Sequence, residues 1–249
     1  MDSVATAGPG ASGVGVVDRS VAVLDALATR GPLSLAELAA ATGLTRPTAH
    51  RLARAWEQHG VLGRDALGRF RLGSKLAAWA SQESSLADLV DAAGPILRRL
   101  RDETGESAQL FVREGEARVC VAVAERASGL RDTVPLGAVL PLDRGSGGQV
   151  LRAFAAGRTP AVRDAAAVSD VDAALARVRA QGWAASIAER EAGVASVSAP
   201  VFDRTGELVA AISVSGPLER LTTDPGARLA PAVVAAATAL ESRVVGHEV

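Results

Sequence analysis

The sequence predicts an α+β fold in two parts. The first part is short, helical and basic; the second is longer, with strands and helices interleaved. Three observations carry this: two capped helices in tandem between residues 34 and 58, a change from helical to period-two patterning after Gly60, and alternating strands and helices from Ser107 to the C-terminus. With 249 residues the chain is long enough for two domains. Hydrophobic residues make up 48% and aromatics only 3%, with no tyrosine, so the cores must be built from Ala, Val and Leu.

Residues 1–15 are Gly, Ala, Ser and Pro without periodicity and read as a disordered tail. Asp18 is expected to cap a first helix whose Val21, Leu24, Leu27 and Ala28 face the core, ended by Gly31-Pro32. Ser34-Leu35-Ala36-Glu37 is a capping box, flanked by Leu33 and Leu38 in the staple positions. Gly43 supplies the left-handed residue that ends the short helix it starts. Thr45 then caps a second helix that tolerates Pro47 in its first turn. Ala49, Leu52, Ala53 and Trp56 form the buried face of this helix, and Pro47, His50, Arg51 and Arg54 the opposite one.

Beyond Gly60, Val61 to Arg64 and Arg69 to Leu72 read as a hairpin around Asp65-Ala66-Leu67-Gly68, with Phe70 and Leu72 inward and Arg69 and Arg71 outward together. Helix, turn, helix and basic hairpin in that order make a winged helix-turn-helix, spanning residues 16–73. Arginine can pair with phosphate or guanine, threonine with backbone or base edge, and a proline ring with a thymine methyl. The residues expected to meet double-stranded DNA are Ser34, Thr45, Arg46, Pro47, Thr48, His50, Arg51 and Arg54, with Arg64, Arg69 and Arg71 in the wing.

Charge agrees with that reading. Residues 1–80 hold nine Arg or Lys against six Asp or Glu, whereas the remainder holds eighteen against twenty-two. Cys120 is the single cysteine, which excludes a disulfide framework and a thiolate metal cluster. No apolar run approaches the roughly 20 residues of a membrane span, and Met1-Asp2-Ser3 lacks a basic leader; a cytoplasmic protein is expected.

Residues 74–91 read as a linker helix, with Trp79 the expected anchor of a dimer contact. Its helical pattern resumes through Ile96, Leu97 and Leu100, with a break or kink at Gly94-Pro95. Residues 92–249 form the second domain. Strands are expected at Ser107–Arg113, Arg118–Ala124, Ala195–Phe202 and Leu208–Ser215, and helices at Gly145–Phe154, Val171–Gln181 and Arg228–Val244.

Pro32-Leu33-Ser34-Leu35-Ala36-Glu37-Leu38-Ala39, Thr48-Ala49-His50-Arg51-Leu52, Gly68-Arg69-Phe70-Arg71-Leu72-Gly73 and Ser213-Val214-Ser215-Gly216, in this order and spacing, resemble the IclR-type bacterial transcriptional regulators. The resemblance implies a winged-helix reader, a linker helix and a GAF-like effector-binding domain, working as a homodimer or a dimer of dimers. The family usually has a polar residue in place of Pro47 and often a cysteine in place of Ser196.

Gly145-Ser146-Gly147-Gly148 opens a helix, where backbone N–H groups and the helix dipole favour an anion. Ser213 and Ser215 share one face of a strand, and the resemblance adds Ser196. These residues are expected to bind a small organic acid without any obligatory lysine or arginine, against an aliphatic wall. No cofactor and no metal is expected: His50, His59 and His247 have no metal-ligand spacing, and Arg144 breaks the nucleophile-elbow pattern at Ser146. The reading is a DNA-binding regulator governed by an acid. Its rivals are an acid-converting enzyme with an N-terminal dimerisation module, and a protein-docking module without DNA affinity.

Overall fold

In the computed structural model, residues 14–80, 84–158, 170–221 and 224–244 are described. The expected tail therefore lies outside them up to residue 13, as does His247. The chain forms two compact units, residues 1–84 and 85–249.

The first unit begins with α1 (Gly15–Arg30). Gly15 thus belongs to the helix rather than to a tail, and Asp18 stands in its first turn while Val14 is the N-cap. The buried face is Ser20, Val23 and Leu27 with Leu24 partly covered, not the expected Val21 and Ala28, which are exposed.

The expected capping box starts α2 (Leu35–Thr42): Ser34 Oγ accepts from the Glu37 amide at 3.3 Å, and the Glu37 carboxylate accepts from the Ser34 amide at 2.8 Å. Gly43 ends it at φ +67°. Thr45 occupies the N-cap of α3 (Arg46–Gln58), but its hydroxyl pairs with Thr48 Oγ1 at 3.0 Å instead of capping an amide. Ala49 and Ala53 are buried, with Leu52 and Trp56 packed beside them.

Strands β1 (Leu62–Arg64) and β2 (Phe70–Leu72) pair antiparallel, and Leu33 adds a bridge to Phe70 through two backbone hydrogen bonds of 2.8 and 2.9 Å. Phe70, 1% exposed, ties the hairpin into the helical core. Helix α4 (Ser74–Ala80) closes the unit.

Helix α5 (Ser84–Thr104) starts at the boundary, belongs to the second unit from residue 85 onward, and runs through Pro95 without a break. Proline removes the bond to the Asp91 carbonyl, and both residues are exposed, so water can serve that carbonyl. A six-stranded antiparallel sheet follows in the order β5-β4-β3-β8-β7-β6, from β3 (Ser107–Glu114), β4 (Ala117–Ala124), β5 (Val139–Pro141), β6 (Ala184–Ile187), β7 (Val194–Phe202) and β8 (Leu208–Pro217). The short strands β5 and β6 were not expected, nor was α8 (Leu218–Leu221).

Helices α5 and α9 (Pro225–Glu241) cover one sheet face, burying Leu97, Leu100, Leu229, Val233 and Leu240 against Ala108, Leu110, Val197 and Ile212. Helices α6 (Ser146–Ala153) and α7 (Asp170–Gln181) cover the other, where Val150, Leu151 and Val178 meet Phe111, Cys120, Phe202 and Ala211. Alanine is as frequent as valine in these strands, and its small side chain lets the helices lie close on the sheet. No helix among the described residues is long and apolar enough to cross a membrane.

Candidate functional site

Two surfaces carry the chemistry, one in each unit. In the first, α3 points Arg46, Pro47, His50, Arg51 and Arg54 at solvent, with Thr45 at its head and Thr48 half-buried. Arg46, His50 and Arg51 make no ion pair among the described residues; Arg54 donates to Glu57 at 2.9 Å. Ser34 stands half-buried, with its hydroxyl occupied by the capping box.

The wing arginines are held along the hairpin rather than projecting from it. Arg64 reaches Glu57 at 2.8 Å and Gly68 O at 2.8 Å, while its guanidinium carbon lies 4.0 Å from the Phe70 ring centroid. Hydrogen bonds from Arg64 and then Arg54 keep the Glu57 carboxyl below its ordinary value. Arg71 donates to Arg64 O and Leu72 O. Arg69 corrects the expected outward pair: it folds back onto Asp65 at 2.7 Å and is half-buried, because Asp65 also organises the turn through the Leu67 and Arg69 amides.

In the second unit a cleft forms between the start of α6 and the sheet. Register brings four serines of β7 and β8 into two adjacent rows, Ser198 beside Ser213 and Ser196 beside Ser215, and β6 adds Ser186 beside Ser196. Hydroxyl contacts link Ser213, Ser198, Ser146, Ser196 and Ser186 in a chain, at 2.5, 2.7, 2.7 and 2.9 Å in turn. Five hydroxyls making four such links leave one hydroxyl proton free for a further acceptor. Gln109 of β3 bonds Ser215 at 3.0 Å.

The expected residues Gly145, Ser146, Gly147, Ser196, Ser213 and Ser215 all line this cleft. Gly148 does not. A Cβ at Gly148 would lie 2.3 Å from the Leu142 carbonyl oxygen and 2.6 Å from Arg118 Nη1, so this glycine lets α6 pack rather than a ligand approach. The anion site at the helix start is also partly filled by the chain itself. Glu189 accepts from the Gly145 amide at 2.9 Å and from Gln149, and the Ser146 amide donates to Ser186 Oγ at 3.1 Å.

The cleft does hold arginine, which the sequence reading did not require, and Phe111 makes the wall expected to be aliphatic partly aromatic. Arg118 of β4 is 3% exposed and donates from Nη1 to the carbonyls of Pro141 and Arg144, both at 2.7 Å. Its Nε is buried without a partner. Burial, reinforced by the charge of Arg190, pulls its pKa down to about 10, leaving it charged at neutral pH. Arg190 is neutralised locally: its Nη2 lies 2.6 Å from both carboxylate oxygens of the buried Asp132.

Gln109, Arg118, Ser186, Ser198 and the Asp132–Arg190 pair are the site residues that sequence reasoning missed. The cysteine expected of the family is absent here, and the chain's own Cys120 is a core residue whose thiol burial pushes up to about 12. The enclosed space is about 30 Å³, enough for water. Among the described residues no three His, Cys, Asp or Glu side chains gather as metal ligands.

Residues 16–66 match the family model of the IclR helix-turn-helix domain, and residues 82–242 that of the bacterial transcriptional regulator IclR C-terminal domain. The glycerol operon regulatory protein of Streptomyces griseus is 33% identical, over 92% of this chain and 96% of its own. The transcriptional repressor IclR of Escherichia coli is 29% identical, over 94% and 91%. Two crystal structures share the fold: an IclR homolog of Microbacterium hydrocarbonoxydans complexed with 4-hydroxybenzoate (TM-score 0.64, 24% identity, 92% and 98% covered) and the Thermotoga maritima IclR (TM-score 0.63, 21% identity, 92% and 98% covered).

Proposed function

For a chain that belongs to the IclR family of bacterial transcriptional regulators, we infer sequence-specific binding to a double-stranded operator and control of that binding by a small organic acid. The chain is a DNA-binding regulator with an effector-binding C-terminal domain, not an enzyme. The observation that carries the specific reading is the exposed face of α3, where Arg46, His50 and Arg51 stand without carboxylate partners among the described residues. Arg51 lies at its centre and reads bases; Thr45, Thr48 and Pro47 support it, and Arg54, Arg64, Arg69 and Arg71 follow the phosphate backbone once released from Glu57 and Asp65.

One winged helix offers too few base contacts for tight specific binding, so the working species is a homodimer or a dimer of dimers on a two-fold site in the cytoplasm. Trp79, 50% exposed and with the Lys75 ammonium 5.0 Å from its ring centroid, supports a contact there. The acid reading rests on the polar cleft at α6, and the 4-hydroxybenzoate complex of the Microbacterium homolog is in keeping with it. A ligand regulates only by favouring one arrangement of the readers, so acid and DNA must alter each other's affinity by the same factor.

The test is fluorescence anisotropy of the full chain on its own upstream DNA, with and without a panel of aliphatic and aromatic acids. Steep salt dependence, preference over unrelated DNA and a shift with at least one acid are expected. Equal affinity for unrelated DNA would reject sequence-specific reading, and indifference to every acid would reject the effector.

A further inference from the structure

Resting on the reading of the cleft as an effector site, we propose that Arg118 is the residue that selects the effector, and that it selects a monoanionic carboxylate. A guanidinium offers two docking edges, and the one between Nε and Nη2 takes a carboxylate through two parallel bonds. Arg118 has committed Nη1 to the carbonyls of Pro141 and Arg144, which fixes the plane of the group. Its Nε has no partner, and Nη2 makes no hydrogen bond among the described residues. The unused edge belongs to a side chain that lines the cleft beside Gly145 and Gly147.

Such an arrangement is costly unless something completes it. A buried donor left unsatisfied is unfavourable, more so when it is charged, and no carboxylate lies within ion-pair distance of Arg118 among the described residues. Glu189 is directed to the Gly145 amide and Gln149 instead. One oxyanion pair on the Nε–Nη2 edge would satisfy the donor and neutralise the charge together.

The open donors limit the ligand to a single negative charge. Arg190 is matched by Asp132, the Glu189 carboxylate lies against the helix start, and Asp143 and Glu189 already act on Arg118 at longer range, so among the described residues the Nε–Nη2 edge of Arg118 is the one cationic donor edge left open in the cleft. A dicarboxylate or phosphate dianion would bury its second charge against hydroxyls and Phe111, without a cation to meet it. A neutral amide would leave the guanidinium charge unpaired. The cleft's space of about 30 Å³ must expand to admit any such acid, and the hydroxyl chain and the Asp132–Arg190 bridge are the contacts that would rearrange.

Calorimetry on the full chain would compare lactate, 3-hydroxybutyrate and 4-hydroxybenzoate with their amides and with succinate and inorganic phosphate. The acid that binds should do so at least about tenfold more tightly than its amide and than either dianion. In a nitrogen-15 spectrum of arginine side chains, the Nε–H signal lost in Arg118→Lys should move when that acid is added to the unaltered protein. Arg118→Lys, which keeps the charge but not the fork, should lose at least about tenfold in affinity. An acid that binds no better than its amide, or that leaves the Arg118 signal in place, overturns the assignment while leaving an effector-controlled regulator intact. If no acid in the panel binds at all, both the assignment and the acid reading fall. The spectrum and the acid–amide comparison use unaltered protein, so they decide the matter even if the variant does not fold.

Discussion

Gly147→Ala separates occupation of the cleft from stability of the fold. A Cβ at this position would lie 3.4 Å from Phe111 Cδ2, 3.4 Å from Ser213 Oγ and 3.7 Å from Arg118 Cδ, ordinary contact distances that ask no backbone to move. The methyl would intrude on a space of about 30 Å³, at the point where a ligand must pass Arg118 and Ser213. Overpacking costs typically 1–3 kcal/mol, which here falls on the bound state and predicts a loss of about 5- to 150-fold in acid affinity. Alanine in place of glycine favours the helix by up to about 1 kcal/mol, so the melting temperature should stay level or rise by up to roughly 2–4 °C. Gly148→Val is the contrasting control: its Cβ meets the Leu142 carbonyl oxygen at 2.3 Å, which forces backbone movement and should lower the melting temperature. Calorimetry and thermal melts of both variants make the comparison. A Gly147→Ala protein that binds acids with unaltered affinity would refute the placement of the ligand between α6 and the sheet.

The DNA reader gives further tests. Arg51→Ala should weaken operator binding by roughly 1–3 kcal/mol and relax preference at one base pair, measured by anisotropy on a set of single-base variants; an unchanged preference removes Arg51 from base reading. Arg69 must leave Asp65 to reach a phosphate, so Arg69→Ala should lower the log–log salt slope by about 1, and an identical slope would mean that it stays on the turn. Ser34→Ala breaks the capping box and should cost about 1 kcal/mol of stability by denaturant unfolding, whereas a cost near zero would show the reciprocal bonds to be dispensable. Trp79→Ala should raise the monomer fraction in sedimentation, and an unchanged assembly would take Trp79 out of the interface.

What could be read from the sequence was what is decided locally. The capping box at Ser34, the left-handed Gly43 and the hairpin around Asp65 each depend on a few consecutive residues, and each forms. The face of α1 was misplaced because Val16, Val17, Val21, Val23, Leu24 and Leu27 spread apolar side chains over more than one face, so spacing alone does not single out the buried stripe. Strands β5 and β6, at three and four residues, are too short to show a period; without β6 there was no reason to bring Ser186 to Ser196. Ser213, Ser215 and the start of α6 were legible as a pocket in outline. That Glu189 would already hold the Gly145 amide was not, since 44 residues separate them.

Arg118 shows the same limit at a single backbone irregularity. In an unbroken strand Arg118, Cys120, Ala122 and Ala124 point to one side, and the two alanines do face α5 and α9 with Ala108 and Leu110. Between β3 and β4, however, Leu110 pairs with Ala122 while the next residue, Phe111, pairs with Cys120, so Val121 is left as the extra residue of a bulge. The bulge reverses the sides. Cys120 therefore joins Phe111 under α6 and α7, and Arg118 enters the cleft beside Phe111 with its ring contact at 5.3 Å. A bulge that re-aims a side chain is a frequent device next to functional sites. Here it turns a cation away from the apolar interface with α5 and α9, where no acceptor could serve it, and towards the carbonyls of Pro141 and Arg144. Alternation alone assigns Arg118 to the same side as Ala122; only the register of the folded sheet assigns it to the effector cleft.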